Sequence, residues 1–280
     1  MTRLLNRDVR IITDAFVIDA RTAAGERQPL LKLTFDVTKT LDRSANTASL
    51  SIWNLSENSR SWLQEKGLEV SIEAGYVEER NQIFKGDIEN ATITREAVDW
   101  IVALELGDGT AALQSSRVNL SLRGPQKMGA VLQKVADTLG LDTGNLKEKV
   151  ASDGARSVLK ELINSIVLSG KSADVLEDVA AAMGLSYSVQ DKGLLFRAPG
   201  EAVSGPAIEL NDSKGLLGSP EVGEKGIVSA RSLLNGRIKP GVLIDLESLL
   251  ISGQYLVQKV KHVGDTWGAQ WETEMEMAEA

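Results

Sequence analysis

One histidine and no cysteine in 280 residues restrict the chemistry this chain can perform. His262 alone builds neither a two-histidine metal site nor a relay of imidazole acid and base steps. A serine triad would need a nucleophile brought to it, and no G-x-S-x-G elbow occurs. Placed after Lys261 in the alternating YLVQKVKHVGD, His262 is expected on a polar strand face. Without cysteine there is no disulfide framework, no thiolate nucleophile and no Cys-based zinc site.

Ser169-Gly170-Lys171-Ser172 resembles the end of a phosphate-binding loop. Such a loop needs a further glycine five residues before the Gly-Lys pair, so that backbone N–H groups close around phosphates. Ser165 stands there instead, in an apolar run of helical character. The expected arrangement is Gly170 ending one segment and Ser172 capping the next helix. Nucleotide binding is rejected, and no cofactor or metal is expected.

Carboxylates are plentiful, for example Asp245 and Glu247, and a pair for glycoside hydrolysis is the one catalytic device within reach. Scattered solvated carboxylates are the default in an acidic chain. A sharper regularity lies in WETEMEMA. There Trp271, Thr273, Met275 and Met277 share one strand face, and Glu272, Glu274 and Glu276 the other. Three glutamates in a row repel one another, which places them in water or opposite a basic partner. They are candidates for a channel wall or an interface.

The balance of 31 Lys+Arg against 39 Asp+Glu gives a net charge of -8, which disfavours a surface that tracks nucleic-acid phosphates. Aromatics make up 4% of residues, and no platform of interleaved aromatic and basic residues occurs, so no sequence-specific nucleic acid is expected as a partner. No uncharged apolar run approaches the roughly 18 residues of a membrane span. The opening MTRLLNRDVRIITDAFVID lacks the apolar core of a signal peptide. The expectation is a soluble protein, cytoplasmic when made, without a membrane span.

The elements behind these residues fall into three parts. Up to about residue 109 the pattern has period two. Leu31, Leu33, Phe35 and Val37 alternate with polar residues, as do Ala48, Leu50 and Ile52. The second run stops at Asn54-Leu55-Ser56, where Ser56 is suited to cap a short helix through Trp62 and Leu63 to Gly67. A meander follows in LEVSIEAGY, QIFKGDIENATITRE and VDWIVALELGDG, as in a small barrel or sandwich.

From about 110 to 198 the period becomes helical. AVLQKVADTLGL (130–141) and DVLEDVAAAMGL (174–185) form a weak repeat of two amphipathic helices, each ending at a glycine. LSYSVQDKGLLFRAPG reads as a hairpin turning at Asp191-Lys192-Gly193. Between the copies, KEKVASDGARSVLKELINSIVLSG fits either a helix over 156–168 or a loop through VASDGARSV. Residues 199–226, rich in Gly, Pro and Ser, read as a linker with one short strand at Ala207–Leu210, and strand patterning then returns to the C-terminus.

In their order, ASLSIWNLSENSR, VSIEAGY, IFKGDIENATITRE, DWIVALELGDG, SADVLEDVAAAMGLSYSVQDKGLLF, GLLGSPEVGEKG and a Trp-containing last strand span nearly the whole chain. This succession resembles the baseplate hub proteins of contractile-tailed bacteriophages, the late control protein D-like tail hub family. The resemblance implies a mainly β fold with an α+β insert: two tail-tube-like β-barrels flanking helix-containing subdomains. It divides the chain into a barrel at 1–110, an α+β insert at 111–198, and a linker with a second barrel at 199–280.

The function implied is structural, not enzymatic. Three copies would form a ring that adapts a six-fold tail tube to a three-fold spike around a central channel. The implied partners are the chain itself as a homotrimer, the tail tube protein, the central spike protein, and other baseplate and tape-measure proteins, all within the virion tail. Trp62, on the short helix after the first barrel strands, is the implied interface residue. Within that reading Glu272, Glu274 and Glu276 are candidates for the lumen wall, an outward face being equally compatible with period two. The rival reading is a hub-associated peptidoglycan hydrolase using a carboxylate pair.

Overall fold

The computed structural model describes residues 6–21, 31–77, 79–151, 162–203 and 205–280. The chain forms two compact units. One combines Met1–Thr40, Asn46–Asp108 and Ala202–Ala280, and the other Leu41–Ala45 and Gly109–Glu201.

The first unit opens with β1 (Arg7–Thr13), β2 (Val17–Arg21), β3 (Leu33–Thr40) and β4 (Asn46–Trp53). The alternation expected of β3 and β4 is what packs them. Leu33, Phe35 and Val37 are buried on one strand, and Ala48, Leu50 and Ile52 on the next. Lys39 continues the buried face of β3 at 0% exposure, a place where an apolar residue would be expected. β4 ends where Asn54 adopts a positive φ of 57°, a region open to Asn because its side chain bonds locally. Its Oδ1 accepts from the Trp100 N–H at 3.0 Å, and its Nδ2 donates to Asp99 Oδ1 at 2.8 Å.

Ser56 then caps α1 (Glu57–Trp62), its Oγ accepting the Ser59 N–H at 3.2 Å. The strands β5 (Glu69–Tyr76), β6 (Glu79–Glu96) and β7 (Asp99–Asp108) form the expected meander. Two further pairings extend it, because β4 adds to β7 and β1 adds to β5.

The second unit contains α2 (Thr110–Ser115), β8 (Arg117–Lys127), α3 (Met128–Asp137), α4 (Leu146–Ala151), β9 (Leu162–Lys171), α5 (Ser172–Ala182) and the hairpin β10 (Ser186–Gln190) and β11 (Gly193–Arg197). The repeated helices are α3 and α5, whose Val131, Leu132, Val135, Leu176 and Val179 meet Tyr187 and Phe196 of the hairpin in one core. Two expectations fail here. Residues 162–168 form a strand paired with β8, not a helix, and the remainder of the expected helix lies outside the described residues. LINSIVL is a short apolar run whose period cannot separate the two states, and pairing decided it. Ser172 is the first helical residue rather than the cap. Lys171 takes that place, while the buried Ser172 Oγ lies 2.8 Å from Thr138 Oγ1, which donates.

The chain returns to the first unit with β12 (Ile208–Leu210), β13 (Leu216–Val222), β14 (Val228–Leu233), β15 (Leu243–Glu247), β16 (Ser252–Asp265) and β17 (Trp271–Glu279). The supposed linker thus holds a second strand, β13. Gly218 at φ 69° and a register break between Leu217 and Glu221 conceal its alternation.

All strands of this unit join one 13-stranded sheet in the order β13-β14-β17-β16-β3-β4-β7-β6-β5-β1-β2, with β15 also on β16 and β12 on β15. Among the described residues this path is open. It carries two cores. One gathers Val9, Ile11, Phe35, Leu50, Ile72 and Phe84 with Trp271, and the other gathers Leu210, Ile238, Ile244, Val257, Val260, Met275 and Met277.

The segments meet at β16 and β3, where Gly264 pairs with Phe35. A Cβ on Gly264 would lie 2.2 Å from Phe35 Cζ and 2.9 Å from Trp271 Cζ3. Gly264→Ala therefore forces apart the edge-to-face Phe35–Trp271 pair, whose centroids are 5.5 Å apart. A loss of about 1–3 kcal/mol is expected, the usual cost of overpacking. Urea denaturation followed by tryptophan fluorescence measures it.

A candidate assembly surface

The glutamate strand is placed as its alternation requires. Trp271, Thr273, Met275 and Met277 of β17 are buried. Glu272, Glu274 and Glu276 face away from that core, with Glu276 exposed and the other two part-buried. β17 lies between β14 and β16, and those neighbours bring cations against it.

The cross-strand rows can be read directly. In one row Arg231, Glu274, Lys261, Thr38 and Thr47 stand side by side across five strands. In the next are Leu233, Glu272, Val263, Asp36, Ser49 and Glu105. A third holds Ser229, Glu276, Lys259 and Thr40.

Lys259 Nζ reaches Glu276 Oε1 at 2.9 Å, Lys261 Nζ reaches Asp36 Oδ2 at 2.9 Å, and the Arg231 guanidinium reaches Glu272 Oε2 at 3.7 Å. The Asp36 hydrogen bond, with attraction from Asp36 and Glu274, holds the Lys261 ammonium above its ordinary pKa. Arg231, Lys259, Lys261, Glu274 and Glu276, with Ser219 and Glu221 of β13, line a cleft of about 440 Å³. The three glutamates therefore stand opposite basic residues of their own chain, one of the two placements their mutual repulsion allowed.

Beyond β16 the same face continues in short hydroxyl side chains, Thr34, Thr38, Thr47, Ser49 and Ser51. At the far end of β17, Arg7 sits over the Trp271 ring at 5.1 Å and donates to the Gly268 carbonyl at 2.6 Å. Burial lowers the Arg7 guanidinium and pushes the neighbouring Tyr76 phenol to about 12.

Trp62 closes α1 and packs half-buried against the first core, edge-to-face with Phe16 at a centroid distance of 5.2 Å. The structure does not bring it into the rows that hold the glutamates. His262 is fully buried, contrary to the polar placement expected for it. A bulge between Val257 and Lys259 resets the strand phase, so Val260 and His262 share the inner face while Lys259 and Lys261 share the outer one. The His262 Nδ1 lies 2.9 Å from Thr273 Oγ1, which accepts the Asn235 N–H at 3.0 Å.

The residues that sequence reasoning missed are Arg231, Lys259 and Lys261. Each is an ordinary strand cation, and only pairing reveals that they flank the glutamates. Asp245 and Glu247, with Glu209 and Asn211, line a separate cleft of about 360 Å³. Among the described residues no group of three His, Asp or Glu residues is arranged to hold a metal ion.

The chain is largely β, its two terminal segments share one sheet, and a helix-containing unit is inserted between them in sequence. Residues 16–263 match the model of the family described as baseplate hub gp41. The chain belongs to that family of bacteriophage baseplate hub proteins.

Solved structures share the fold. The 43 kDa tail protein of prophage MuSo2 from Shewanella oneidensis superposes with a TM-score of 0.66 at 9% identity, over 98% of this chain and 97% of that one. The tail protein from Neisseria meningitidis MC58 gives 0.63 at 12% identity, over 98% and 96%. An Escherichia coli component of the type VI secretion system, described as structurally similar to T4 bacteriophage tail proteins gp27 and gp5, gives 0.57 at 9% identity, over 96% and 76%. No curated protein sequence matched the chain.

Replacing Glu272, Glu274 and Glu276 together by Gln removes the carboxylates held by Arg231 and Lys259, while Lys261 keeps Asp36. Exposed ion pairs contribute about 0.2–1 kcal/mol each, so a combined loss of about 1–2 kcal/mol is expected at low salt. In molar salt the loss should shrink, because the Debye length falls to about 3 Å. Parallel urea melts at the two ionic strengths check both statements.

Proposed function

We propose that the chain is the structural hub of a phage baseplate, with three copies arranged as a ring that joins the tail tube to the central spike and encloses a channel. The observation that carries this reading is one sheet with two cores in a chain of the baseplate hub family. Curled about its own core, each half of that sheet supplies one tube-like barrel wall, so three copies supply six. This matches a six-fold tube to a three-fold spike by geometry alone.

Open edges support the same reading. β2 and β13 end the sheet path, and exposed edges are liabilities that assembly covers. The face carrying Glu272, Glu274 and Glu276 lines the channel in this proposal. Its cations are held by carboxylates of the same chain, and beyond β16 the face carries short hydroxyls and Glu105, so passing DNA meets little that grips phosphate. Trp62 fastens α1 to the sheet at the rim, and the exposed side of that helix contacts the next subunit or tube ring. Work of this kind places the protein in the virion tail, without turnover.

Light scattering on the purified protein should give a trimer, alone or once spike protein is added. A stable monomer in the presence of both spike and tube proteins would end the ring proposal. Density maps of assembled tails should show β17 with its glutamates turned toward the axis, and glutamates turned outward would end the channel assignment. Peptidoglycan zymography should show no clearing, which separates this reading from a cell-wall hydrolase.

A further inference from the structure

β8 and β9 form a two-stranded ribbon whose inner residues Leu122, Ile166 and Leu168 pack on the core of the second unit. The opposite face is set by register. Arg117 stands beside Lys171, Asn119 beside Ser169, Ser121 beside Val167, and Arg123 beside Ser165. Neither strand contains an Asp or Glu. The second unit holds 12 Lys+Arg and 11 Asp+Glu, a net charge of +1, in a chain whose total is -8. All eleven of its carboxylates lie outside these two strands.

Most strand cations of the first unit are paired, as in Arg10–Asp19, Arg80–Asp8, Lys85–Glu69 and Lys259–Glu276. Among the described residues Arg123, Lys127 and Lys171 have no acidic partner. Arg117 is occupied by the carbonyls that end α2, donating to Ser116 O at 3.1 Å.

The two edges of the ribbon differ. Gly124 and Pro125 interrupt β8 at a register break between Arg123 and Gln126, and a bulge with proline blunts an edge. β9 runs Leu-Ile-Asn-Ser-Ile-Val-Leu-Ser without proline or charge, and Val167 is 73% exposed. Among the described residues β9 pairs only with β8. A β-rich, uncharged, open edge is an aggregation hazard unless something occupies it.

We propose that the free edge and outer face of β9 receive an extended acidic segment of another protein as an added strand. Main-chain hydrogen bonds to β9 supply affinity, and Lys171 at one end with Arg123 and Lys127 toward the other supply the charge selection. A second copy of β9 is a poorer occupant, because that strand carries no carboxylate to meet Lys171, Arg123 and Lys127. Nucleic acid is disfavoured too, since neither strand carries an aromatic residue on which bases could stack.

The test uses the full chain and a short fluorescein-labelled peptide of alternating Glu and Thr, with its Lys/Thr counterpart and a duplex DNA as comparisons. Anisotropy should show binding of the acidic peptide alone, weakening as salt rises. The double charge reversal R123E/K127E should reduce that affinity by about tenfold or more, the scale of losing close charge pairs. The matched reversal K66E/K147E, at exposed cations outside the ribbon, should not. Hydrogen exchange should slow in 162–171 on peptide binding, with far-UV circular dichroism unchanged in all variants. No binding, equal binding by R123E/K127E, tighter binding of DNA, or self-association protecting 162–171 without peptide would each overturn the proposal.

Discussion

The pairing of β16 with β3 is the constraint on which the first unit depends. It joins Lys259–Asp265 to Thr34–Thr40, residues more than two hundred positions apart, and among the described residues no other strand pairing connects the two halves of the sheet. Thr266 secures its end. Its Oγ1 accepts the Leu33 N–H at 2.9 Å and donates to the Leu31 carbonyl at 2.9 Å, while its own N–H reaches the Leu33 carbonyl at 3.0 Å. Trp271 and Phe35 then pack edge to face beneath the seam, an arrangement contributing about 0.5–1.5 kcal/mol beyond the area it buries. Closing so long a loop costs more than closing a hairpin, but the cost grows only logarithmically with length. The second unit can therefore be inserted between the halves without forbidding their union.

The points where the chain leaves and rejoins the sheet are also where its interior turns polar. β3 ends at Thr40, β4 begins at Asn46 and β7 ends at Asp108, the limits of the first unit around the insertion. Lys39, Asn46 and Asp108 are all buried there. Asn46 ties two of these ends together, accepting the Thr40 N–H at 2.9 Å and donating to Asp108 Oδ2 at 3.2 Å. Such polar groups are costly to bury unless bonded, and they specify strand register more sharply than apolar side chains do.

Legibility from sequence followed the locality of the cause. Alternation in β3, β4 and β17, the Ser56 cap, the paired helices and the turn at Asp191-Lys192 depend on residues near in sequence, and each was readable. β9 was not, because LINSIVL satisfies strand and helix patterns alike and its partner β8 is distant in sequence, with Lys127 beside Leu162. The buried His262 was misplaced for a related reason, since the bulge after Val257 resets the phase of β16. Of the surface, the glutamate row was visible as a pattern, whereas Arg231, Lys259 and Lys261 become its partners only through β14 and β16 pairing with β17.

That distinction bears on what the polar face can do. Read as an isolated strand, WETEMEMA presents bare negative charge, and a bare acidic wall repels a polyanion over a Debye length of about 8 Å at physiological salt. The paired lattice has a shorter reach, because each glutamate has a cation within one strand spacing. Repulsion is then local, and so is attraction, since Lys259 and Lys261 already hold carboxylates at 2.9 Å and would have to surrender those bonds to engage a phosphate. A surface built this way discourages adhesion without relying on net charge.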